Sequence, residues 1–588
     1  MNTPDTLPAL DLGLILGFFL LTLAAGLYFG RRASRGLDDY FLGGRRLPWW
    51  VLGMSGTASN FDMTGTMVMV SFLFAIGLQG FWVAMRGGMC LPLGLLLVYM
   101  GAWLRRSKVM TTAEWMELRF GPGPAGQAAR ILSALANLVV TVAFLTYFVK
   151  GSGKFLAVFL PLDADACSLL MVSVGLLYTA ASGLFGVVYT DVLQEVLMLA
   201  AAVWVGIQAA TLPDHAAALA AAGPQWLSLA PQATAGPMNW LTDPTMYQAF
   251  GLCIVFWMAR GLLEGAGGLT GGYMPQRYYA AKNDREAVYL TAQWIILLLF
   301  RWALIAGVVV LGLAAAAGDP QVASVLSADP EKTLPLVIFR AIPSGIRGVV
   351  VAGLMAAALS TFDSTLNAGA SYWVRDIYQR YLHPEAGQRQ LLRQGRLATA
   401  VLAALGAAAG LAAHNIDAVW SWITGPLSAG LFAPVLLRWY WWRFNGYGFA
   451  ASTAAGLTVA VGLKLSGVQL PLYLSFPLAW SVSLLVGIVV SLVTSPAVRE
   501  VLDRFYARIR PFGLWGPVSR RSPAGPAAPR APRTLFWSAV AVGWQLCGVI
   551  LVLSLVLHQW SRAAWSAGVF LGLGAALYFG RLRLAQKD

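Results

Sequence analysis

The stretch WWVLGMSGTASNFDMTGTMVMVSFLFAIG, residues 49–77, has the length and the apolar ends of a membrane-spanning helix, but its middle is polar. Glycine and hydroxyl residues there are followed by Asn60 and Asp62. Glycine is costly inside a helix and permits unwound backbone, which is tolerated at membrane depth only where protein or a water-filled cavity covers it. We therefore expect an interrupted helix inside a bundle.

A second interrupted stretch is FGLCIVFWMARGLLEGAGGLTGGYMPQRYY, residues 250–279, with five glycines from Gly265 to Gly272 and Glu264 beside them. Counted along the apolar segments, the two breaks lie five spans apart. Matched breaks in two halves of a chain are typical of transporters built from inverted repeats, which bind their solute between the breaks. Packing of helices through glycine is the alternative, but it does not explain the polar side chains.

The rest of the chain has the composition of an integral membrane protein. Its 588 residues are 58% hydrophobic and only 11% charged, whereas about a quarter of a soluble domain is charged. Apolar segments of roughly 20 residues recur along the whole length, and we count about 15 of them. A soluble protein would need polar helix faces, which are lacking. We expect an all-α polytopic membrane protein with about 15 transmembrane helices.

The net charge of +15 is sorted along the chain. Basic residues concentrate after alternate spans, for example in 105–108, 277–285, 375–396 and 499–533, whereas 161–167 and 212–248 have none. The positive-inside rule then places the N-terminus outside and the C-terminus inside, in the cytoplasmic (inner) membrane. The basic balance reflects orientation and anionic lipid, so we expect a lipid bilayer and no nucleic acid as partner.

Five motifs follow one another at consistent membrane positions. They are DDYFLGGRRLPWW (38–50), TTAEWMELRFG (111–121), SGLFGVVYTDVLQ (182–194), QRYYAAKNDREA (276–287) and AGLMAAALSTFDSTLNA (352–368). Together they resemble the sodium–solute symporter family, which includes sodium/glucose and sodium/proline cotransporters. The resemblance implies a LeuT-type five-plus-five inverted repeat with extra flanking helices. It also implies a secondary transporter in which inward flow of Na+, the coupling ion, drives uptake of a small polar solute.

The resemblance suggests five parts of the chain. Residues 1–47 form an N-terminal external tail, a first transmembrane helix and a cytoplasmic loop, and residues 48–444 form the transport core. Residues 445–494 are additional transmembrane helices, and 495–533 are a basic, Pro-rich cytoplasmic loop. Residues 534–588 hold two C-terminal transmembrane helices and a tail, to which we assign no counterpart in the family. We expect a monomer.

The ninth span carries oxygen-bearing side chains on one helical face, because their spacings are one, three and four residues. They belong to Ser360, Thr361, Asp363 and Ser364. Sodium prefers oxygen ligands, and unwound backbone supplies more of them. The resemblance implies a main sodium site in which the hydroxyl groups of Ser360 and Thr361 join the backbone carbonyls of Ala58, Phe61 and Ala357.

A second cation site is expected from Asp191, Ser360, Asp363 and Ser364. By the resemblance, an aspartate in the YTD stretch and hydroxyl groups of the ninth span hold a second ion, and this chain has Asp363 where a hydroxyl residue is usual. Two converging carboxylates repel each other, so the site would bind a second sodium or a proton. A charge at mid-bilayer costs about 2.5–3.5 kcal/mol or more. A salt bridge of Asp363, for example with Arg301, is the alternative.

Solute is expected between the two breaks, near Asn60, Thr64, Arg86 and Glu264, because discontinuous helices expose backbone groups there. Of the positions that match sugar contacts in the sugar cotransporter, only Thr64 and Glu264 are polar here, which weakens a simple hexose assignment. A sugar, a sugar acid, an amino acid or a carboxylate remains open. The other class is a polytopic membrane sensor or enzyme, but no P-loop, GxSxG or HExxH motif supports it, so we expect no enzyme.

Overall fold

The computed structural model describes residues 7–33, 42–45, 47–87, 91–234, 249–269, 272–468, 470–521 and 530–582. Within these ranges the chain is helical, apart from one isolated bridge between Trp441 and Leu514. Eleven of the described helices are long and apolar enough to cross a bilayer, and two shorter apolar helices accompany them. The expected all-α polytopic class is confirmed, and the number of about 15 crossings stays a prediction.

The described residues of the first half of the chain form eleven α-helices. They are α1 Ala9–Ala33, α2 Trp49–Phe61, α3 Met63–Ile76, α4 Leu91–Leu95, α5 Gly101–Ser107, α6 Glu114–Phe120, α7 Pro124–Leu156, α8 Ala164–Ala210, α9 His215–Ala222, α10 Phe250–Ala266 and α11 Tyr273–Ala280. Short 3-10 helices lie at Gly43–Arg45, Gly77–Gly87 and Pro224–Leu227, and a π-helical turn at Leu96–Met100 joins α4 to α5.

Thirteen more are formed by the part of the second half that the structure describes. They are α12 Asp284–Gly318, α13 Pro320–Ala328, α14 Thr333–Ala341, α15 Ile346–Ser371, α16 Gln388–Ala412, α17 Ile416–Trp422, α18 Ser428–Tyr440, α19 Gly446–Leu465, α20 Leu472–Val493, α21 Arg499–Ile509, α22 Gly516–Ser519, α23 Ala531–Val556 and α24 Trp560–Leu577. A 3-10 helix lies at Pro330–Lys332, and π-helical segments lie at Tyr372–Leu382, Ile423–Leu427 and Tyr578–Leu582.

The first expected helix interruption is present, but it consists of a single non-helical residue. Helix α2 ends at Phe61 and α3 begins at Met63, and Asp62 between them has φ 37° and ψ 107°. The glycines upstream stay helical and serve close packing instead. A Cβ atom on Gly56 would lie 2.5 Å from the Trp294 ring of α12, so only glycine lets the two helices approach this closely.

The second expected interruption follows the glycines closely. Helix α10 ends at Ala266 and α11 begins at Tyr273, and positive φ angles occur between them at Gly268, Leu269 and Gly272. A left-handed conformation is natural for glycine and strained for leucine. Residues 270 and 271 lie outside the described residues. The short helix α11 is thereby separated from α10, and it begins next to the end of α2, where the Tyr273 hydroxyl donates to the Ser59 carbonyl.

Helices α2, α8, α12 and α15 form the centre of the bundle, where α2 packs against the other three. Helix α15 is almost wholly buried, and α1 covers it together with α8. The C-terminal pair α23 and α24 pack against each other, and α23 contacts α12 and α4 from outside this centre. The polar residues of α2 and α15 therefore lie inside protein, as interrupted helices require.

The segment expected as a basic, Pro-rich loop contains helix α21, which packs against α6 and α5. Arg119, at the end of α6, is fully buried beneath it. Its guanidinium donates to four backbone carbonyls beyond and at the end of α18, those of Arg438, Trp441, Trp442 and Phe444. It also lies over the rings of Phe120, Phe505 and Trp515, at 5.0, 5.3 and 4.8 Å. Arg119 therefore caps the C-terminal end of α18.

Candidate functional site

A cavity of about 100 Å³ lies beside the first helix break. Its polar lining comes from both sides of that break and from neighbouring helices, and its other walls combine aromatic and aliphatic side chains. The polar and aromatic members are Asn60, Asp62, Phe144, Tyr147, Tyr273, Arg301, Trp302, Thr361 and Trp420. A much larger groove of about 1070 Å³ between α7 and α16 has almost wholly apolar walls and touches neither break. The small polar cavity is therefore the candidate site.

The Asp62 carboxylate closes the N-terminal end of α3. Its Oδ1 atom accepts the backbone N–H of Thr64 at 3.1 Å, and Oδ2 accepts the backbone N–H of Gly65 at 2.9 Å. The Tyr147 hydroxyl donates to Oδ2 as well, at 3.0 Å. A carboxylate at a helix N-terminus satisfies unpaired N–H groups and meets the positive end of the helix dipole. The negative charge of Asp62 is thus compensated locally.

The Arg301 guanidinium caps the C-terminal end of α2 by donating hydrogen bonds to it. Nε donates to Thr66 Oγ1 at 3.0 Å, Nη1 to the Asn60 carbonyl at 3.0 Å, and Nη2 to the Asp62 carbonyl at 3.4 Å. All three acceptors are uncharged. Among the described residues, no carboxylate lies within ion-pairing distance of this guanidinium. Arginine has five N–H donors, so two of them remain at the cavity, where the Asp62 carboxylate interacts with the guanidinium electrostatically without forming an ion pair.

Aromatic rings form a large part of the remaining wall. The rings of Tyr147 and Trp420 lie nearly parallel, with centroids 4.7 Å apart, and Phe144 meets Trp420 edge-on at 6.0 Å. Trp420 stands just before a kink at Gly425, where α17 passes into α18 through a π-helical turn. The cavity thus offers flat apolar faces next to one guanidinium and the side-chain amide of Asn60.

The four residues predicted to contact solute are not brought together. Asn60 lines the cavity, whereas Thr64 is fully buried where α3 crosses α7 at Gly151. Arg86 forms an ion pair with Asp417 of α17, at 2.8 Å, and also donates to Ser421. Glu264 pairs with Arg260, one turn earlier on α10, at 3.1 Å. Of the four, only Asn60 lies on the cavity wall; the other three interact elsewhere.

The residues predicted for the main sodium site lie where α2 meets α15. Thr361 Oγ1 lies 3.0 Å from the Ala357 carbonyl and 2.9 Å from the Ser59 carbonyl on α2. The single hydroxyl proton serves one carbonyl at a time, so this group of oxygens has room for a cation as a further partner. The Phe61 carbonyl accepts the hydroxyl of Thr66, and Ser360 turns its hydroxyl away, toward Asp191. The oxygen atoms that could coordinate sodium are therefore those around Thr361 Oγ1, the carbonyls of Ser59 and Ala357.

The residues predicted for a second cation site are largely assembled. Asp191 of α8 accepts the hydroxyl of Ser360 on Oδ1 and the hydroxyl of Ser55 on Oδ2, both at 2.5 Å. Ser59 Oγ lies 2.9 Å from Ser364 Oγ and 3.2 Å from Ser360 Oγ. Four hydroxyl groups and a carboxylate thus converge in a fully buried place. The cation site itself stays a prediction.

Arg277 of α11 reaches into this same group of oxygens, although it is not among the residues predicted for either cation site. Its Nη2 atom lies 2.7 Å from Ser364 Oγ and 3.5 Å from Asp191 Oδ2. Asp363 is also fully buried, and its carboxylate interacts electrostatically with Arg277. The salt bridge between Asp363 and Arg301, considered from the sequence, is not formed.

Two of the missed residues could have been found from spacing. Ser55 and Ser59 are four residues apart, so they share one face of α2, as Ser360 and Ser364 do on α15. Arg277 stands in the QRYY motif, but nothing in its spacing reveals that α11 turns it toward α2. Arg301 was considered only as an alternative salt-bridge partner of Asp363.

In sequence, the chain is similar to known sodium-coupled transporters. The profile of the "Sodium:solute symporter family" matches residues 40–456. A sodium/mannose cotransporter of Bos taurus is 28% identical, with 78% of this chain and 79% of the relative covered. The sodium/glucose cotransporter of Vibrio parahaemolyticus is 25% identical over 80% and 88% of the two chains. The high-affinity proline transporter PutP of Bacillus subtilis is 26% identical over 81% and 97%.

A solved structure shares the fold. The outward-open, substrate-bound state of a Na+-coupled sialic acid symporter superposes with a TM-score of 0.66 at 21% identity. The match covers 84% of this chain and 99% of that one. The expected LeuT-type architecture of two five-helix repeats is thereby confirmed.

Proposed function

Because the chain belongs to the sodium:solute symporter family, we propose that its cavity binds a small polar solute that carries a carboxylate group. Membership confirms the resemblance of the five motifs. The chain is a multi-pass membrane protein, and inward flow of its coupling ion, Na+, drives uptake of a small solute. The relatives are named for mannose, glucose and proline, so names alone leave the solute class open.

The observation that carries the proposal is the charge of Arg301. Its hydrogen bonds end on two carbonyls and one hydroxyl group, and it faces the cavity between α2 and α3. A partly buried guanidinium that forms no direct ion pair is costly, because it has lost water and the Asp62 carboxylate interacts with it only from beyond ion-pairing distance. A solute carboxylate would supply that partner and accept the two remaining N–H donors side by side.

The rest of the cavity fits such a solute. The Asn60 amide offers a donor and an acceptor, and the faces of Tyr147 and Trp420 offer apolar contact to a ring or chain. The Asp62 carboxylate does not repel the solute strongly, since two N–H groups and a hydroxyl already bind it. Amino acids, sugar acids and other carboxylates belong to the proposed class, and neutral sugars do not.

The test uses the purified protein in proteoliposomes with an imposed sodium gradient. A panel of matched pairs is offered, each a carboxylate and its neutral analogue: glucuronate with glucose, and amino acids with their amides. We expect sodium-dependent uptake of at least one carboxylate and at least 100-fold weaker uptake of its analogue, because a site built around a charged group rejects a solute that leaves it unpaired. Equal uptake of both members would contradict the solute class and leave sodium coupling intact.

We further propose that the main sodium site comprises the carbonyls of Ala58, Phe61 and Ala357 with the hydroxyl groups of Ser360 and Thr361. What supports it is the contact of Thr361 Oγ1 with the Ala357 carbonyl on α15 and with the carbonyl of Ser59, which follows Ala58 on α2. Ser360 would turn its hydroxyl from Asp191 to the bound ion. An ion bound there would hold α2 and α15 together next to the first break.

Replacing Thr361 by alanine removes one oxygen ligand from this site. We expect the sodium concentration for half-maximal transport to rise about tenfold, which corresponds to about 1.4 kcal/mol. Thr361→Ser keeps the hydroxyl group and should stay within about twofold of the unchanged protein. Uptake measured against sodium concentration at fixed ionic strength distinguishes these cases. If the alanine and serine variants behave alike, Thr361 is not a ligand.

We infer from the sorted charges that the protein lies in the cytoplasmic (inner) membrane as a monomer, with its N-terminus outside and its C-terminus inside. It binds neither nucleic acid nor an enzyme substrate, since the family and the relatives are transporters. A single cysteine introduced at an exposed position of α13, for example Gln321→Cys, tests the orientation. A membrane-impermeant thiol reagent should label it in whole cells. Labelling only after the membrane is opened would reverse the assignment.

A further inference from the structure

The guanidinium of Arg277 is enclosed by oxygen atoms in a way that differs from an ordinary ion pair. Nη2 has four oxygen neighbours: Ser364 Oγ at 2.7 Å, Ser55 Oγ at 2.9 Å, Ser59 Oγ at 3.1 Å and Asp191 Oδ2 at 3.5 Å. A guanidinium –NH2 group carries only two hydrogens. Four oxygens around one nitrogen therefore exceed what its hydrogen bonds require.

The arrangement puts the hydroxyl groups, and not the carboxylate, closest to the positive charge. An arginine whose role is only to pair with an aspartate commonly binds it through two parallel hydrogen bonds of about 2.7–2.9 Å. Here the carboxylate of Asp191 receives hydrogens from Ser55 and Ser360. The lone pairs of the serines are left to face Nη2. Oxygen atoms presented in this way are the environment that a hard metal cation requires.

We propose that Arg277 is an internal cation that occupies the second cation site in place of a mobile ion. The side-chain nitrogen stands beside two of the residues predicted for the second cation site, Asp191 and Ser364, and beside Ser55 and Ser59 of α2. A sodium ion and the guanidinium exclude each other there by charge and by volume. In this conformation the protein therefore binds one mobile sodium, at the main site, and its second positive charge belongs to its own chain.

The position of Arg277 in the fold ties this charge to the second break. Helix α11 begins directly after the break, and Arg277 lies one turn into it, where Nη1 donates to the Tyr273 carbonyl at 3.0 Å. Tyr273 in turn donates its hydroxyl to the Ser59 carbonyl on α2. The internal cation thus links the segment after the second break to the segment before the first one. The inference goes beyond the proposed function, since it needs no transported solute.

The test measures sodium binding through stability and not through transport. The full chain is purified in detergent, and its free energy of unfolding is followed against sodium concentration, with choline replacing sodium at constant ionic strength. Above saturation, each bound ion contributes one unit to the slope of stability against the logarithm of sodium activity, in units of RT. The unchanged protein should give a slope near one.

Arg277→Gln removes the internal cation and leaves Asp191 buried. We expect this variant to be less stable at low sodium and to reach a slope near two, because a second sodium then enters the vacated place. Arg277→Lys keeps a positive charge and should keep a slope near one. The double variant Arg277→Gln with Asp191→Asn removes both charges and should also return to a slope near one.

Either of two results would overturn the inference. One is a slope near one in Arg277→Gln; the other is a slope near two in the unchanged protein. If Arg277→Gln does not fold, equilibrium binding of radioactive sodium to the unchanged protein decides the matter, with one ion per chain expected and two contradicting it. A failure of the proposed main site would look different, because the unchanged protein would then show no sodium dependence.

Discussion

Replacement of Arg301 by glutamine is expected to lower kcat/KM for a carboxylate solute about 100-fold. The glutamine side chain removes the only positive charge that the described cavity wall presents without an ion pair. Removing one partner of a buried, hydrogen-bonded charge pair costs about 2–5 kcal/mol, and 100-fold corresponds to about 2.8 kcal/mol. Initial uptake rates in proteoliposomes at saturating sodium measure the effect.

Arg301 also caps helix α2, so the experiment needs a readout that capping alone would not change. Loss of a cap lowers the uptake of all solutes alike. Loss of a carboxylate partner removes the discrimination between a carboxylate and its neutral amide. Arg301→Lys keeps the charge but not the paired donors, and should lose about tenfold while still preferring the carboxylate. A glutamine variant that retains the full preference would show that Arg301 is structural only.

Replacement of Arg119 by alanine is expected to lower the free energy of unfolding by at least about 3 kcal/mol. The side chain donates to four carbonyls at the end of α18 and fills the space between three aromatic rings. Without it the carbonyls of Arg438, Trp442 and Phe444 lose this donor, whereas the Trp441 carbonyl keeps the backbone N–H of Phe444. Each buried group left unsatisfied costs about 1–3 kcal/mol. Thermal unfolding of the purified protein, followed by intrinsic tryptophan fluorescence, measures the change.

Arg380 provides the matched control for this experiment. It pairs with Glu117 of the same helix α6 as Arg119, but 40% of its side chain is exposed. Exposed ion pairs contribute about 0–1 kcal/mol, so Arg380→Ala should leave the unfolding midpoint nearly unchanged. If the two alanine variants unfold alike, the carbonyls at the end of α18 are satisfied without Arg119.

The breaks were predictable from sequence, because glycines and polar residues within an apolar span are local signals. The second break follows Gly265–Gly272 closely. The first differs in detail, since Gly56 serves packing against Trp294 and the irregular residue is Asp62. That distinction depends on which helix lies opposite, and the residue opposite is 238 positions away in the chain.

The charged residues show why the site was harder to predict than the fold. Arg86 was expected near solute, but its partner Asp417 is 331 residues away, and no spacing rule connects the two. Glu264 pairs with Arg260 one helical turn away, and this pair could have been predicted from its four-residue spacing. Whether a charged residue within a span binds a ligand or a neighbouring side chain depends on tertiary contacts. The roles of Arg277 and Arg301 could be assigned only from such contacts.

The way in which Asp62 and Arg301 close the two helix ends has a consequence for the entropy of binding. Each end of the interrupted helix finds its hydrogen-bond partners within the chain, so the irregular backbone at Asp62 keeps its shape before a solute arrives. A site that must be ordered by its ligand loses part of the interaction energy to that ordering. Here little conformational freedom remains to be lost, and the affinity for solute should be governed by the removal of water from Arg301.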